Sequence, residues 1–474
     1  MEQYAQSIVD PKLNLRGTQS SVSGIDIKNV RQLFNNPISN YDRIGSYMND
    51  LSKKNGVIAN VIRYYTSMPT YYYNLFSTFN PKDFSSNVDI KEYLEIAKEL
   101  DKYNIPLFAP YFVERTLING YSCFYEIADN KGVSYLEFPI NMAKIYKLEN
   151  GVYRWMIDVS KLKQELVDIP NFPTEIKKAF EETDRTDPKK WYDGKWRYLS
   201  DKAIAFTFDQ SVLRNGGVTI SPFSPLLPDT LLAEKAKDNV DIKDDIDTVR
   251  ILHGGMKLDK DGKATITSKE AAKWQSLLKQ GLPNGVAAVV TPFELENISL
   301  NGSGNGKAYD TVKEAQKQLF FSVGTTGSLF GDTTTSSNIT KLSIQKDISW
   351  VFAKVMPVLS AYYNNVVQSM KTESGSIWNI RFLRQSIFTY DDDVKRYKDA
   401  ITLGGSRTDY LSSLGMTPLE IYSKLYMEQN ILQIDNLMLP KQASFTMSGA
   451  TSGEVGRPKT DNPTDDTDRI ADSQ

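Results

Sequence analysis

Two side chains that carry much of the acid–base and nucleophilic chemistry of proteins occur once each in this chain, as His253 and Cys123. A Cys/His zinc site, a paired-histidine metal site and a Ser-His-Asp triad all need more of them, or a very particular use of His253. That histidine stands in Arg250-Ile-Leu-His-Gly-Gly, just before an expected turn and with no nucleophile motif beside it, so it reads as structural. A lone cysteine cannot make a disulfide within the chain, and a reducing compartment is the natural expectation.

Two further motifs invite a chemical reading. Gly302-Ser-Gly-Asn-Gly-Lys307-Ala308 superficially resembles a phosphate loop. A Walker A loop needs glycine where this chain has Asn301, and a magnesium-binding Ser or Thr where it has Ala308. Asp391-Asp392-Asp393 could offer carboxylates to a metal, as in a metal-dependent nuclease. Two-metal sites, however, draw their acids together, and three consecutive acids more often open a solvated helix, where the macrodipole favours negative charge. No catalytic residue, cofactor or metal is therefore expected.

The elements around these motifs alternate in character. Residues 1–36 are polar and read as a flexible arm. Helical spacing follows through Ile44, Met48 and Leu51, again through Val57, Ile58, Val61, Ile62 and Tyr65, and again from Val88 to Leu100. Tyr71–Tyr73 reads as strand. Tyr121–Ile127 with Val133–Phe138, and Ile145–Leu148 with Val152–Ile157, form two expected hairpins, the second around Asn150-Gly151. Trp196–Leu199 and Ile204–Phe208 add two strands. Residues 40–220 thus read as an α+β domain.

At Ser224-Pro225, a cap and first-turn pair, the character changes. The helix that follows runs to about Val249 with a thin apolar stripe of Leu232, Ala236 and Val240. From Glu234 to Asp247 it carries six acids (Glu234, Asp238, Asp241, Asp244, Asp245, Asp247) against three lysines (Lys235, Lys237, Lys243), a local balance of −3. A helix so polar is solvated or bundled with copies of itself. Residues 250–303 read as a compact insert with strands near Ile251 and at Gly285–Thr291, and a short capped helix over Ser268–Lys279. Helix resumes from about Lys307 to Val323, so two helices bracket the insert.

Gly324–Asn338 is glycine, serine and threonine around Leu329 and Phe330, an exposed loop. A long helix with a strong stripe (Ile344, Ile348, Val351, Val355, Leu359, Tyr362, Val366) then spans about 45 Å to Met370, kinked at Pro357. Trp378–Tyr390 reads as strand, and short helices follow to about Asn430. From about Gln442 there is almost nothing to bury, and the tail reads as disordered.

Composition agrees with a multi-domain protein: 474 residues, 40% hydrophobic and 24% charged, enough for two to four packed units. With 56 basic and 58 acidic residues the formal net charge is −2, so no global basic excess draws the chain to nucleic acid or an anionic membrane. No secretory signal is evident in Met1-Glu-Gln-Tyr-Ala-Gln, and no window reaches the ~20 apolar residues of a membrane span. The expectation is a soluble protein of a cytoplasm.

Four stretches carry a likeness to a known family: Ser224-Pro-Leu-Leu, Gly327-Ser-Leu-Phe-Gly331, Gly404-Gly-Ser-Arg-Thr-Asp-Tyr-Leu-Ser-Ser-Leu-Gly-Met416 and Gly453-Glu-Val-Gly-Arg-Pro-Lys459. Their order and spacing over about 400 residues make the chain resemble the portal proteins of tailed bacteriophages, the head-tail connectors at one capsid vertex, in their siphophage-like form. The resemblance implies an α+β, multi-domain fold: a wing at 37–224, stem helices at 225–249 and 304–323, and a small α/β clip at 250–303. It also implies a tunnel loop at 324–338, a kinked wing helix and strand at 339–392, a short helical crown at 393–432 and a disordered tail at 433–474. It implies a homo-oligomeric ring of about twelve subunits in the virion, assembled in the bacterial host cytoplasm, through which double-stranded DNA passes without sequence specificity. Its implied partners are the large terminase subunit, scaffold and major capsid protein, and a head-tail adaptor, with no membrane. Thr325, Thr326, Ser328, Leu329, Phe330, Asp332, Thr333, Thr334, Thr335 and Ser336 would face the DNA, and Glu234, Lys235, Asp238, Asp241, Asp244 and Asp245 would charge the stem. The alternatives are another virion structural protein, of baseplate or tail, and a metal-dependent nuclease at Asp391–Asp393.

Overall fold

The computed structural model describes residues 27–78, 90–161, 172–248, 250–255, 267, 270, 273, 286–291, 313–315, 337–370 and 377–434; for 238–255, 286–291 and 337 it describes the backbone only. The fold is mixed helix and sheet, and it divides into two compact units, Met1–Leu419 and Glu420–Gln474.

Helix α1 (Ile27–Leu33) lies inside the stretch read as a flexible arm. Val30 and Leu33, three apart on one face, are buried in the main core, and that burial outweighs the polar residues around them. Helices α2 (Tyr41–Lys54) and α3 (Gly56–Ser67) follow the expected spacing, with Ile44, Met48, Leu51, Ile58, Val61 and Ile62 all buried. Asn55 forms the corner between them. Its Oδ1 accepts from the Val57 and Ile58 amides, both at 3.0 Å, capping α3.

Strand β1 (Tyr73–Thr78) begins later than the tyrosine run suggests. Tyr71 instead takes a left-handed backbone (φ 58°), and its hydroxyl donates to the Thr66 carbonyl at 2.6 Å. After α4 (Ile90–Asp101) comes α5 (Ile105–Asn119), which the sequence reading passed over. It is apolar on nearly every side and holds Pro106 and Pro110, so it shows neither a one-sided stripe nor good propensity. Burial of Ala109, Phe112, Val113, Leu117 and Ile118 makes it the central helix of the core.

A seven-stranded sheet wraps this helix: β2 (Tyr121–Ala128), β3 (Val133–Phe138), β4 (Ala143–Glu149), β5 (Val152–Asp158), β6 (Trp191–Tyr192), β7 (Trp196–Tyr198) and β8 (Ala203–Thr207), with α6 (Thr174–Glu181) before β6. The strand order is β3-β2-β8-β5-β7-β6, with β4 paired to β5. Both expected hairpins form, β2 with β3 and β4 with β5. The second turns on Asn150 (φ 50°) and Gly151 (φ 78°), the left-handed pair that a tight hairpin demands. One sheet face gives Phe124, Tyr135 and Phe206 to the main core; the other gives Cys123, Phe138, Trp155 and Ile157 to a second core closed by Ile176 and Ala179 of α6.

Ser224–Leu226 forms a 3₁₀ turn before α7 (Leu227–Thr248). Ser224 does not cap α7: its hydroxyl donates to the Ser221 carbonyl at 2.7 Å and tightens the turn. Strands β9 (Arg250–Gly255) and β10 (Val286–Thr291) pair in parallel, with His253 opposite Val289 inside the ladder rather than before a turn. Parallel pairing requires a crossover. In that crossover Glu270 is helical and its carboxylate accepts from the amide and hydroxyl of Thr267 at 3.0 and 2.7 Å, so Thr267 is the cap of the expected short helix. The other residues of the expected helix over Ser268–Lys279 lie outside the described residues.

Helices α8 (Ser337–Lys354) and α9 (Met356–Ser369) form the long kinked helix. The break falls at Val355, two residues before Pro357, because the proline withholds its amide from the turn that precedes it. Ser337 and Asn338, read as loop, are helical. Strand β11 (Ile377–Phe382) pairs antiparallel with β1, Tyr73 opposite Phe382. It ends well before Tyr390, since Gln385 and Ile387 turn to bond the backbone at Thr70 and Met68. Helices α10 (Tyr390–Thr402) and α11 (Arg407–Ser413) complete the first unit's described elements, the latter capped by Ser406. Helix α12 (Pro418–Tyr426) leads into the second unit, where a π-helical turn follows at Met427–Ile431. Among the described residues no helix is long and apolar enough to cross a membrane.

Candidate functional site

The sequence points to α7, to the loop before α8 and to the insert between the bracketing helices as the functional elements. The loop residues Thr325, Thr326, Ser328, Leu329, Phe330, Asp332, Thr333, Thr334, Thr335 and Ser336 lie outside the described residues. Asp238, Asp241, Asp244 and Asp245 fall on the described backbone of α7, with side chains outside the described set. What is described is the joint from which these elements depart.

The foot of α7 is not the solvated rod that its charge suggests. Leu227, Leu231, Ala233 and Ala236 are buried, and α1 packs alongside. Glu234 is half-buried and accepts a 2.9 Å hydrogen bond from Asn55 Nδ2. Asn55 thus caps α3 with its oxygen and holds α7 with its nitrogen. Lys235 and Lys237 are exposed. On the other side, helical Ala315 is buried against Ala233 and Ala236, so the two bracketing helices meet through small side chains. Small residues let helix backbones approach closely.

The foot of α8 is held by a buried acid. Asp347 is only 3% exposed and accepts from the Tyr64 hydroxyl at 3.1 Å and the Tyr65 hydroxyl at 3.0 Å. Burial pushes its carboxyl above the usual range, against the pull of the two hydroxyl donors. Both tyrosines are raised in turn, first by burial and then by the neighbouring carboxylate. Around this acid the rings converge: Tyr65 lies 5.1 Å from Phe223 and 5.5 Å from Trp350, and Tyr64 lies 5.2 Å from Phe388. One cluster therefore ties together α3, the turn entering α7, α8 and the segment entering α10. A sequence signal for it exists. Asp347 sits on the apolar stripe between Ile344 and Val351, where an acid is out of place unless it is bonded.

Before this clamp the first turns of α8 are largely exposed. Ile339 and Leu342 are 55% and 66% exposed, and Asn338, Lys341, Gln345 and Lys346 are exposed as well. A helix start carrying apolar side chains into water on its own is a face that association would cover.

A second, half-buried acid braces the other end of the kinked helix. Tyr362 of α9 donates to Glu126 of β2 at 2.8 Å and shares a 2.8 Å contact with the Tyr135 hydroxyl of β3. Burial raises the Glu126 carboxyl, with the Tyr362 and Tyr103 hydroxyls opposing. The sheet and the kinked helix are thus bolted at one end by Glu126 and the helices at the other by Asp347.

Asp391-Asp392-Asp393 opens α10. The three do not converge: Asp391 and Asp392 are exposed, while Asp393 is buried. The Asp393 carboxylate accepts from the Ser386 amide at 3.2 Å and the Thr389 hydroxyl at 2.7 Å, and pairs with Arg396 at 3.1 Å. It fixes the turn before α10. Among the described residues no three His, Cys, Asp or Glu side chains are grouped to hold a metal ion. Cys123 is buried, and that burial holds its thiol well above the usual range.

No protein-family model matches this chain, and a search of curated proteins finds none similar to it.

Proposed function

We propose that this chain is a ring-forming portal subunit of a tailed bacteriophage, providing the channel for double-stranded DNA packaging and ejection. The observation that carries the reading is the helix–insert–helix excursion. Helix α7 leaves a rooted foot, passes into a parallel strand pair, and a helical return packs Ala315 on Ala233 and Ala236. In this reading α7 and its partner are the stem, the β9–β10 insert is the clip, and residues 324–336 are the tunnel loop leading into α8.

The physical chemistry is consistent with a conduit. Duplex DNA has to move, and every added Lys or Arg on its phosphates would hold it more tightly. A stem with a local balance of −3 and a loop of Thr, Ser and Gly grips weakly. The clamps at Asp347 and Glu126 give the moving parts a stiff base. The exposed Ile339 and Leu342 supply surface for a neighbouring copy, as a heterologous ring interface needs. The terminase, capsid, scaffold and adaptor partners follow from the same proposal.

Light scattering on the purified protein tests it. The expected mass is about twelve times the 53.6 kDa chain. A strict monomer at high concentration would count against the reading.

A further inference from the structure

Away from the joint, the β4–β5–β7 end of the sheet gathers positive charge around one tryptophan. Lys144 of β4 and Lys195 of the β6–β7 turn both lie over the Trp196 ring, their ammonium nitrogens 4.9 and 5.7 Å from its centroid. Lys195 Nζ is also 3.0 Å from Asp158 Oδ2. Lys161, three residues after Asp158, donates from its Nζ to the Asn141 carbonyl at 2.9 Å. Lys144, Lys161 and Lys195, from three separate segments, are thus electrostatically coupled near Asp158, of which Lys195 contacts its carboxylate directly.

That carboxylate cannot neutralise them. Asp158 is fully buried, and its Oδ1 already takes the Ser160 amide at 3.1 Å, the Ser160 hydroxyl at 2.5 Å and the Lys161 amide at 3.3 Å. Burial opposes its ionisation, but these donors and Lys195 hold its carboxyl below the usual range, so it contributes one full negative charge. Set against Asp158 alone among the described residues, the three lysines leave an excess of +2. Lys144 registers it: its proton affinity is lowered, first by desolvation and then by Lys195 and Lys161, with Asp158 opposing. Beside it, Lys147 and Arg154 share the single carboxylate of Glu149 at 2.9 and 3.7 Å, so this group of side chains does not cancel the charge.

Clustering like charges has a cost that grows as solvent is withdrawn, and nothing in a chain of net charge −2 forces it. Trp196 as a whole is only 8% exposed, so its ring is not open for a base to stack on. What remains presented to solvent is ammonium groups, the point-charge donors that suit a phosphate.

We propose that Lys144, Lys161 and Lys195 form a phosphate-binding site at the β4–β5–β7 end of the sheet. A phosphate near neutral pH carries about −1.5 to −2, close to the local excess. A single carboxylate carries half of that. The phosphate could arrive free or as part of a nucleic-acid backbone; the chemistry that recognises it is the same.

The test uses the full-length protein in low-salt buffer, titrated calorimetrically with inorganic phosphate, with a short duplex DNA, and with a glutamate-rich peptide. The variants are Lys144→Met, which keeps the stem over Trp196, and Lys195→Gln, with Lys189→Gln as an exposed control. Phosphate binding weakened at least about tenfold in both variants, and unchanged in the control, supports the site with free phosphate as ligand. Duplex binding lost in the same two variants, without phosphate binding, supports the backbone as the source. Absence of binding to both in the wild-type protein overturns the proposal, as does binding that the two variants leave unchanged. So does binding of the acidic peptide alone.

Discussion

Replacing Asp347 with leucine should loosen the joint between α3 and α8, and the size of the effect follows from what is left behind. Tyr64 and Tyr65 are 8% and 6% exposed, and both hydroxyls end on this carboxylate. Without it, two buried hydroxyls lose their acceptor, at about 1–3 kcal/mol each. Part of that is offset, because burying the acid is itself unfavourable. A net loss of about 2–4 kcal/mol is expected. Asp347→Asn should cost less than about 1 kcal/mol, since an amide can accept from one tyrosine and donate to the other.

The two substitutions also separate by pH. Burial raises the folded-state carboxyl above its unfolded value near 3.9, so the folded state binds the proton more tightly. Stability from this group is therefore greatest below the unfolded value and declines as pH rises through the folded one. Asp347→Asn should flatten that decline. The assay is urea denaturation followed by circular dichroism from pH 4 upward, at fixed protein concentration because association shifts apparent stability. If Asp347→Asn proved as damaging as Asp347→Leu, or if the leucine variant were as stable as wild type, the reasoning would fail.

Gly217 holds φ 84°, and an added Cβ would overlap the Ile145 carbonyl oxygen. Gly217→Ala should cost at least about 2 kcal/mol or abolish soluble expression, read as a fall in melting temperature. Asn55→Ala removes both the α3 cap and the link to Glu234, and should cost about 1–2 kcal/mol in denaturant titrations. Asn55→Asp keeps the cap but sets a carboxylate against Glu234, so it should recover part of that loss at acid pH and less at neutral pH. Deleting Thr333–Ser336 should leave oligomers intact and impair packaging or retention of DNA; normal packaging by that variant would remove the loop from the account.

Where local pattern and burial agreed, the fold was legible. Asn150-Gly151 announced its hairpin, and Ile44, Met48 and Leu51 announced α2, because each signal is set within a few residues. Helix α5 was missed because a helix apolar on nearly every side has no polar face to give it a period. Helix α1 was hidden by polar neighbours, its two buried residues being too few to stand out. At the joint, the charges of α7 were visible, yet Glu234 proved to be tied to Asn55, 179 positions earlier. No local spacing reports such a partner. Asp347 was legible in principle as an acid on an apolar stripe, but its tyrosines lie some 280 residues away.

The most direct test of the central claim is electron microscopy of the purified full-length protein. The account predicts rings of rotational symmetry, about twelve subunits around a central hole wide enough for duplex DNA. Discrete monomers, or closed particles without a through-channel, would contradict it.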